Sequence, residues 1–217
     1  MTMAAETDAP DFAVRTEQAL LDLALRVAPR RGWSGLMVQD AGRALGLSRA
    51  DLELLVPGGP RDLAALLSRR HDAAALKALA GTDPASLKIR ERIRQGVLAR
   101  TEAAMGDEPA IRRWAGFLAL PGNVPLALRL VWESADAIWR WAGDTATDEN
   151  HYTKRAILSE ILVTTLAIRL SAGDNAAAAH LDGRIGAVMA FEKWKAGLNP
   201  AARAHRLAET LARLRYR

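Results

Sequence analysis

Apolar residues recur along the chain at helical rather than strand spacing, and the punctuation agrees, with proline at first turns and glycine at ends. The pattern predicts helices at about 12–28 (stopped by Pro29), 36–45, 48–55, 61–80, 84–105, 109–119, 126–141, 148–171, 174–196 and 200–215. The helix from 84 opens with Asp83 as cap and Pro84 in its first position. No run of alternating apolar and polar residues survives as a strand, so an all-α fold is expected. Within 126–141, Leu128, Val131, Trp132, Ala135, Ile138 and Trp139 share one face, and Arg129, Glu133, Asp136 and Arg140 the opposite one. Trp141 belongs to neither and is expected at the surface. From Ile161 the next helix is apolar nearly all round, and its neighbour is rich in Ala and Gly, which predicts a C2 homodimer packed through these two helices.

Composition narrows the function classes. At 217 residues, half of them apolar, the chain can bury a full core. It has no cysteine, which excludes disulfides and thiolate metal sites. The four histidines, His71, His151, His180 and His205, occur in neither an HExxH nor a Glu-x-x-His spacing, and no phosphate loop or nucleophile elbow is present. A non-enzyme is expected. The longest apolar run, residues 161–170, is about half the roughly 20 residues a membrane span needs. The first ten residues carry acids and no Arg, unlike a signal or transit peptide, so a bacterial protein kept in the cytoplasm is expected.

The net charge of +5 is concentrated in the tail, where Arg203, Arg206, Arg213, Arg215 and Arg217 face only Glu209. Leu207, Leu211 and Leu214 fall at i, i+4 and i+7 beside these arginines. The tail therefore predicts a basic amphipathic helix that binds a membrane surface reversibly, through Arg203, Arg206, Leu207, Leu211, Arg213 and Leu214.

Residues 38–55 have the form of a helix-turn-helix, with Gly46 at the turn and Ser48 as the next cap. Together with helix 12–28 and Trp33 the segment resembles the N-terminal three-helix unit of the tetracycline-repressor-like fold. Its second helix presents Arg49, Asp51 and Glu53, and the whole segment has two Arg against three acids. Such a face is poorly equipped to neutralise phosphates, so a scaffold role is expected and nucleic acid is not an expected partner. A ligand-responsive repressor is the alternative reading.

Three stretches carry a more specific resemblance: "LKIRERIRQGVLAR" (87–100), "LPGNVP" (120–125) and "WRWAGDTATDENHYTKRAIL" (139–158). In the last, Gly143, Asp144, Thr147, Asp148, Asn150, Tyr152, Thr153, Lys154 and Arg155 form a spaced motif. Over residues 12–196 the chain resembles the ubiquinone-biosynthesis accessory proteins, subunit nine of the coenzyme Q complex.

The resemblance implies a tetracycline-repressor-like dimer that has given up DNA. It implies a bound isoprenoid lipid or quinone rather than a catalytic cofactor, and presentation of that lipid to the di-iron demethoxyubiquinone hydroxylase. It also implies peripheral association with the inner membrane through the C-terminal helix. In that picture the hydroxylase docks on Pro121, Asn123, Pro125, Trp139, Trp141, Asp144, Asp148, Asn150, Tyr152, Lys154 and Arg155. The lipid pocket draws on apolar helix faces at Ile93, Val97, Phe117, Leu118, Leu128, Trp132, Ile161, Leu162 and Thr165. The expected organisation is a disordered N-terminus (1–11), a helix-turn-helix-like unit (12–80), a lipid-binding and dimerisation domain (81–198) and the tail helix (199–217).

Overall fold

The computed structural model describes residues 8–145 and 149–198. Asp148 and the whole amphipathic tail, including Arg203, Arg206, Leu207, Leu211, Arg213 and Leu214, lie outside the described residues. Among the described residues there are nine α-helices, two 3-10 turns and no strand. The helices are α1 (Asp8–Arg31), α2 (Gly35–Ala44), α3 (Arg49–Leu55), α4 (Pro60–Leu79), α5 (Ile89–Met105), α6 (Glu108–Leu118), α7 (Val124–Trp141), α8 (Glu149–Ala172) and α9 (Asp174–Leu198).

Pro29 does not stop α1, contrary to the sequence expectation; the helix runs on to Arg31. A proline forfeits one backbone N–H, but in a last turn that costs a single bond. The next turn closes anyway, with Gly32 N–H donating to the Ala28 carbonyl at 2.9 Å, and the chain leaves at Gly32, whose φ of +70° a side chain rarely tolerates. Asp83 likewise caps only a short 3-10 turn, Pro84–Ser86. Leu87 then extends, and α5 begins at Ile89 rather than at 84.

The helix-turn-helix geometry is well formed. Ser48 and Asp51 make a reciprocal capping box, with Asp51 N–H to Ser48 Oγ at 3.2 Å and Ser48 N–H to Asp51 Oδ2 at 2.8 Å. The α2 and α3 helices approach so closely that a Cβ on Gly42 would lie 2.6 Å from Leu52. No residue of α3 is buried.

Two apolar clusters build the core. The first gathers Leu20, Leu21, Met37, Leu63, Leu67, Ile111, Trp114 and Leu130 from α1, α2, α4, α6 and α7. The second gathers Ile93, Val97, Ala135, Ile138, Leu158, Ile161, Leu162 and Leu181 from α5, α7, α8 and α9. A division of the chain at residue 80 cuts through the first cluster, because α6 returns to α1, where Arg113 Nε donates to the Pro29 carbonyl at 3.3 Å.

α7 belongs to both clusters, but its buried line is Leu130, Ser134, Ala135 and Ile138. The apolar count had centred that line on a face including Leu128, which is in fact 63% exposed. The discrepancy comes from Ser134, a polar residue that is buried because its hydroxyl has partners inside. Trp141, expected at the surface, is half-buried against the second cluster.

Candidate functional site

Where α4, α5, α6, α7 and α8 meet, the two clusters leave a cavity of about 380 Å3. Trp114, Leu118, Leu130, Val131, Leu162, Leu166 and Leu170 form its walls, and Val124, Leu128 and Val163 stand at its mouth. Of the residues predicted to touch a lipid, Leu118, Leu128 and Leu162 line this cavity. Val97 sits in the second cluster, while Ile93 and Ile161 edge a separate crevice of about 80 Å3 that also touches Trp139 and Lys154. Phe117 packs on the first cluster, and Trp132 faces Tyr152 with ring centres 6.1 Å apart. Thr165 is wholly buried, and its hydroxyl has no hydrogen-bond partner among the described residues.

The inner end of the cavity is polar, and the sequence reading did not find it. Arg100 of α5 lies between Val97 of one cluster and Ala104 of the other. Its Nε donates to Asp72 Oδ1 at 2.5 Å and its Nη2 to Ser68 Oγ at 3.2 Å. Ser134 Oγ donates to the same Asp72 oxygen at 2.7 Å. One turn of α4 brings His71 beside them, with Nε2 at 3.0 Å from Asp107 Oδ2 and Nδ1 buried without a partner among the described residues. Burial, and next the positive charge of Arg100, push the His71 pKa down to about 4 against the opposing pull of Asp107, so the ring is neutral at physiological pH. Ser68, Arg100, Thr101 and Ser134 all line the cavity. A signal was present in the sequence: Arg100 shares the stripe of Ile93, Val97 and Ala104, and His71 follows Leu63 and Leu67 on the buried face of α4. A charge on an apolar stripe has to be paired.

The second site is the α7–α8 connection. Gly143, at φ +84°, turns the chain so that Asp144 N–H reaches the Trp139 carbonyl at 3.0 Å. Arg92 of α5 braces the same corner, its Nη1 donating to the Ala142 carbonyl at 2.7 Å. Asp144 then accepts from Lys154 Nζ at 2.7 Å and from Arg155 Nη1 at 3.1 Å. Arg155 Nε donates to Asp136 of α7 at 2.7 Å, and its Nη1 also reaches the His151 carbonyl at 3.2 Å. Burial alone pushes Asp144 up, but the hydrogen bonds and charges of Lys154 and Arg155 together outweigh it and hold the carboxyl below its ordinary value. Trp139 completes the clasp: its Nε1 donates to the Lys154 carbonyl at 3.1 Å, and Lys154 Nζ lies 5.3 Å from its ring centre.

The predicted docking residues therefore divide. Arg155, only 2% exposed, and the Asp144 side chain face inward and hold α7 to α8. Asn150 and Tyr152 face outward, Tyr152 at 65% exposure, while Trp139, Trp141 and Lys154 are half-buried. Asp136 is a member of the clasp that the motif reading left out. In the 120–125 turn Pro121 and Pro125 are exposed, but Asn123 is buried. It accepts from Arg61 Nε at 2.9 Å and donates to the Phe117 carbonyl at 2.9 Å, pinning the turn to the start of α4.

Among the described residues no group of three His, Asp or Glu is placed to hold a metal ion, and no single helix is long and apolar enough to cross a membrane.

Comparison with known proteins gives one consistent result. A family model described as COQ9 matches residues 124–192, a span that includes all of α7, α8 and the clasp. The Xenopus laevis protein "Ubiquinone biosynthesis protein COQ9-B, mitochondrial" is 30% identical over 168 residues, covering 71% of this chain and 55% of the relative. Its COQ9-A counterpart is 29% identical over 179 residues, with 76% and 54% covered. The Homo sapiens COQ9 protein, also named as mitochondrial, is 27% identical over 158 residues, with 69% and 49% covered. The chain thus spans about half the length of the curated relatives it matches.

Proposed function

Because the chain belongs to the COQ9 family of ubiquinone biosynthesis proteins, we propose that it is a non-catalytic accessory protein that carries a prenylated quinone intermediate in the α4–α8 cavity. It presents that lipid to the di-iron demethoxyubiquinone hydroxylase. The observation that carries this reading is the cavity itself: about 380 Å3, walled mainly by apolar side chains, with the exposed Val124, Leu128 and Val163 at its mouth. A polyprenyl chain has little solubility in water, each buried methylene being worth about 0.8 kcal/mol, so it needs such shielding to leave a bilayer.

In this reading the fold is tetracycline-repressor-like and dimeric. α8 and α9 supply the dimer seam, where Met189 is exposed, and the basic tail supplies a reversible membrane contact. The outward face of the clasp, with Tyr152, Asn150 and the edge of Trp141, is the hydroxylase-docking patch, joined by Pro121 and Pro125. Aromatic side chains held on a rigid support are favoured interface anchors.

Extraction of the detergent-free protein with organic solvent, followed by mass spectrometry, tests the carrier role. A prenylated quinone or quinone precursor near one per chain is expected; ordinary phospholipid alone, or nothing, would sink it. The repressor alternative draws on one observation, an exposed and capped α3 after a tight turn. Its exposed Arg49, however, is tied to Glu53 at 2.8 Å, and Asp51 shares the same surface. A salt-dependent gel shift on genomic fragments separates the two readings, and no shift is expected.

A further inference from the structure

The cavity is inverted relative to an ordinary pocket. Its most exposed lining side chains, Leu128, Val163 and Val124, are apolar, whereas four of its most buried, Ser68, Arg100, Thr101 and Ser134, are polar. Some of that polarity is already satisfied: Arg100 spends Nε on Asp72 and Nη2 on Ser68. Nη1 of Arg100 and the hydroxyl of Thr101, however, have no hydrogen-bond partner among the described residues. Neither donor is among the polar atoms shut off from water, so a ligand that fills the cavity displaces water from them and must supply an acceptor in its place.

The charge of this end limits what the acceptor can be. Arg100 is matched by Asp72 at 2.5 Å, and His71 beside them is uncharged. Asp107 on the far side of His71 adds a negative charge, not a positive one. A carboxylate or phosphate placed here meets no uncompensated cation and loses its hydration. A carbonyl, ether or phenol oxygen accepts the same hydrogen bonds without that penalty.

We propose that the inner end of the cavity selects the uncharged, oxygen-bearing head of a lipid, with Arg100 and Thr101 donating to its oxygens and the hydrocarbon tail running out between Val124, Leu128 and Val163. The inference rests on the reading that the cavity holds a lipid, and adds which end enters first and which head groups are refused. The size agrees: about 380 Å3 is between two and three times the roughly 150 Å3 cavity known to hold a benzene. It takes a substituted ring and a short length of tail, and the rest must leave through the mouth. The ring is thus stored rather than displayed, and delivery requires the ligand to withdraw.

Calorimetric titration of the full chain with three probes, each carrying a ten-carbon chain, tests this: a decyl-substituted dimethoxy-methyl-benzoquinone, decylbenzene and decanoate. The quinone is expected to bind roughly tenfold tighter than decylbenzene, the worth of one or two added hydrogen bonds, and decanoate weakest. In the Arg100→Met, Asp72→Leu double variant, which removes the pair without stranding a charge, decylbenzene should still bind and the preference for the quinone should vanish. Should that variant not fold, Thr101→Val keeps the pair and removes one donor, and a loss of about threefold in the preference is expected. An unchanged preference in the variant that folds, or decanoate binding as tightly as the quinone, overturns the inference and leaves the lipid cavity standing. If none of the three probes binds, the lipid-holding reading falls, and this one with it.

Discussion

Among the described residues two arginines are buried, and their surroundings differ in an instructive way. Arg155 in the clasp lies between two carboxylates, Asp136 at 2.7 Å and Asp144 at 3.1 Å, with Lys154 balancing the second charge. Arg100 at the inner end of the cavity has one carboxylate, Asp72, together with the oxygens of Ser68, and donors left over. The first arrangement ties α8 to α7, and its arginine lines neither the cavity nor the crevice. The second is open, and its remaining hydrogen-bonding capacity faces a space that a ligand can fill. A buried charge held on several sides reads as a structural tie, whereas one with unused donors beside a cavity reads as a binding group.

Loss of the arginine tests that contrast. Arg155→Met removes the guanidinium that joins Asp136, Asp144 and the His151 carbonyl, leaving the two carboxylates only Arg140 and Lys154, and is expected to cost roughly 5 kcal/mol, the upper end for removing one partner of a buried pair; a large fall in the urea midpoint checks it. Arg100→Met strands only Asp72, whose side chain is 13% exposed, and should cost less, about 3–4 kcal/mol. The double variant Arg100→Met, Asp72→Leu should recover most of that stability, since an apolar pair of similar volume replaces the ion pair. If Arg155→Met proves no more damaging than Arg100→Met, the clasp is not the stronger tie and the comparison fails.

The pH dependence sharpens the inner end further. Burial and the charge of Arg100 keep His71 neutral down to about pH 4 in the folded chain, while an unfolded histidine titrates near 6.5. As pH falls below 6.5 the unfolded state takes up a proton that the folded state refuses. Stability present above pH 6.5 is therefore lost progressively towards pH 4, by up to roughly 3 kcal/mol. His71→Gln, which keeps a neutral hydrogen-bonding group opposite Asp107, should flatten that slope in denaturation midpoints measured across the window. An identical slope in the variant would assign the acid sensitivity to other groups.

How far the sequence was legible follows the same division. Period and punctuation located the helices because most of them bury one face and several close at a positive-φ glycine; Pro29 misled because a proline in a last turn forfeits only one bond. The motif from Gly143 to Arg155 stood out as residue types at fixed spacing, but spacing within a motif does not say which side chains point in. Burial of Arg155 depends on Asp136, seven residues before the motif and on another helix. The inner end of the cavity was harder still, since Ser68, Asp72, Arg100 and Ser134 come from three helices and meet only when the two core clusters close. Counting apolar residues also hid Ser134, and with it the rotation of α7 that leaves Leu128 at the cavity mouth.

The smallest expected change in stability carries the most about the outer face of the clasp. Tyr152 is 65% exposed, and its visible support is the ring of Trp132 at 6.1 Å and that of His151 at 5.2 Å. Tyr152→Ser removes that ring without touching Asp136, Asp144, Lys154 or Arg155, so the denaturation midpoint should move by no more than about 0.5 kcal/mol. If the clasp exists to hold an aromatic surface for the hydroxylase, capture of that enzyme should nonetheless fall, by tenfold or more for a central interface aromatic. Stability and capture that both stay at the wild-type level would take Tyr152 out of the docking face. A loss of capture without a loss of stability would separate the two roles of one motif, its inward residues tying helices together and its outward ones meeting a partner.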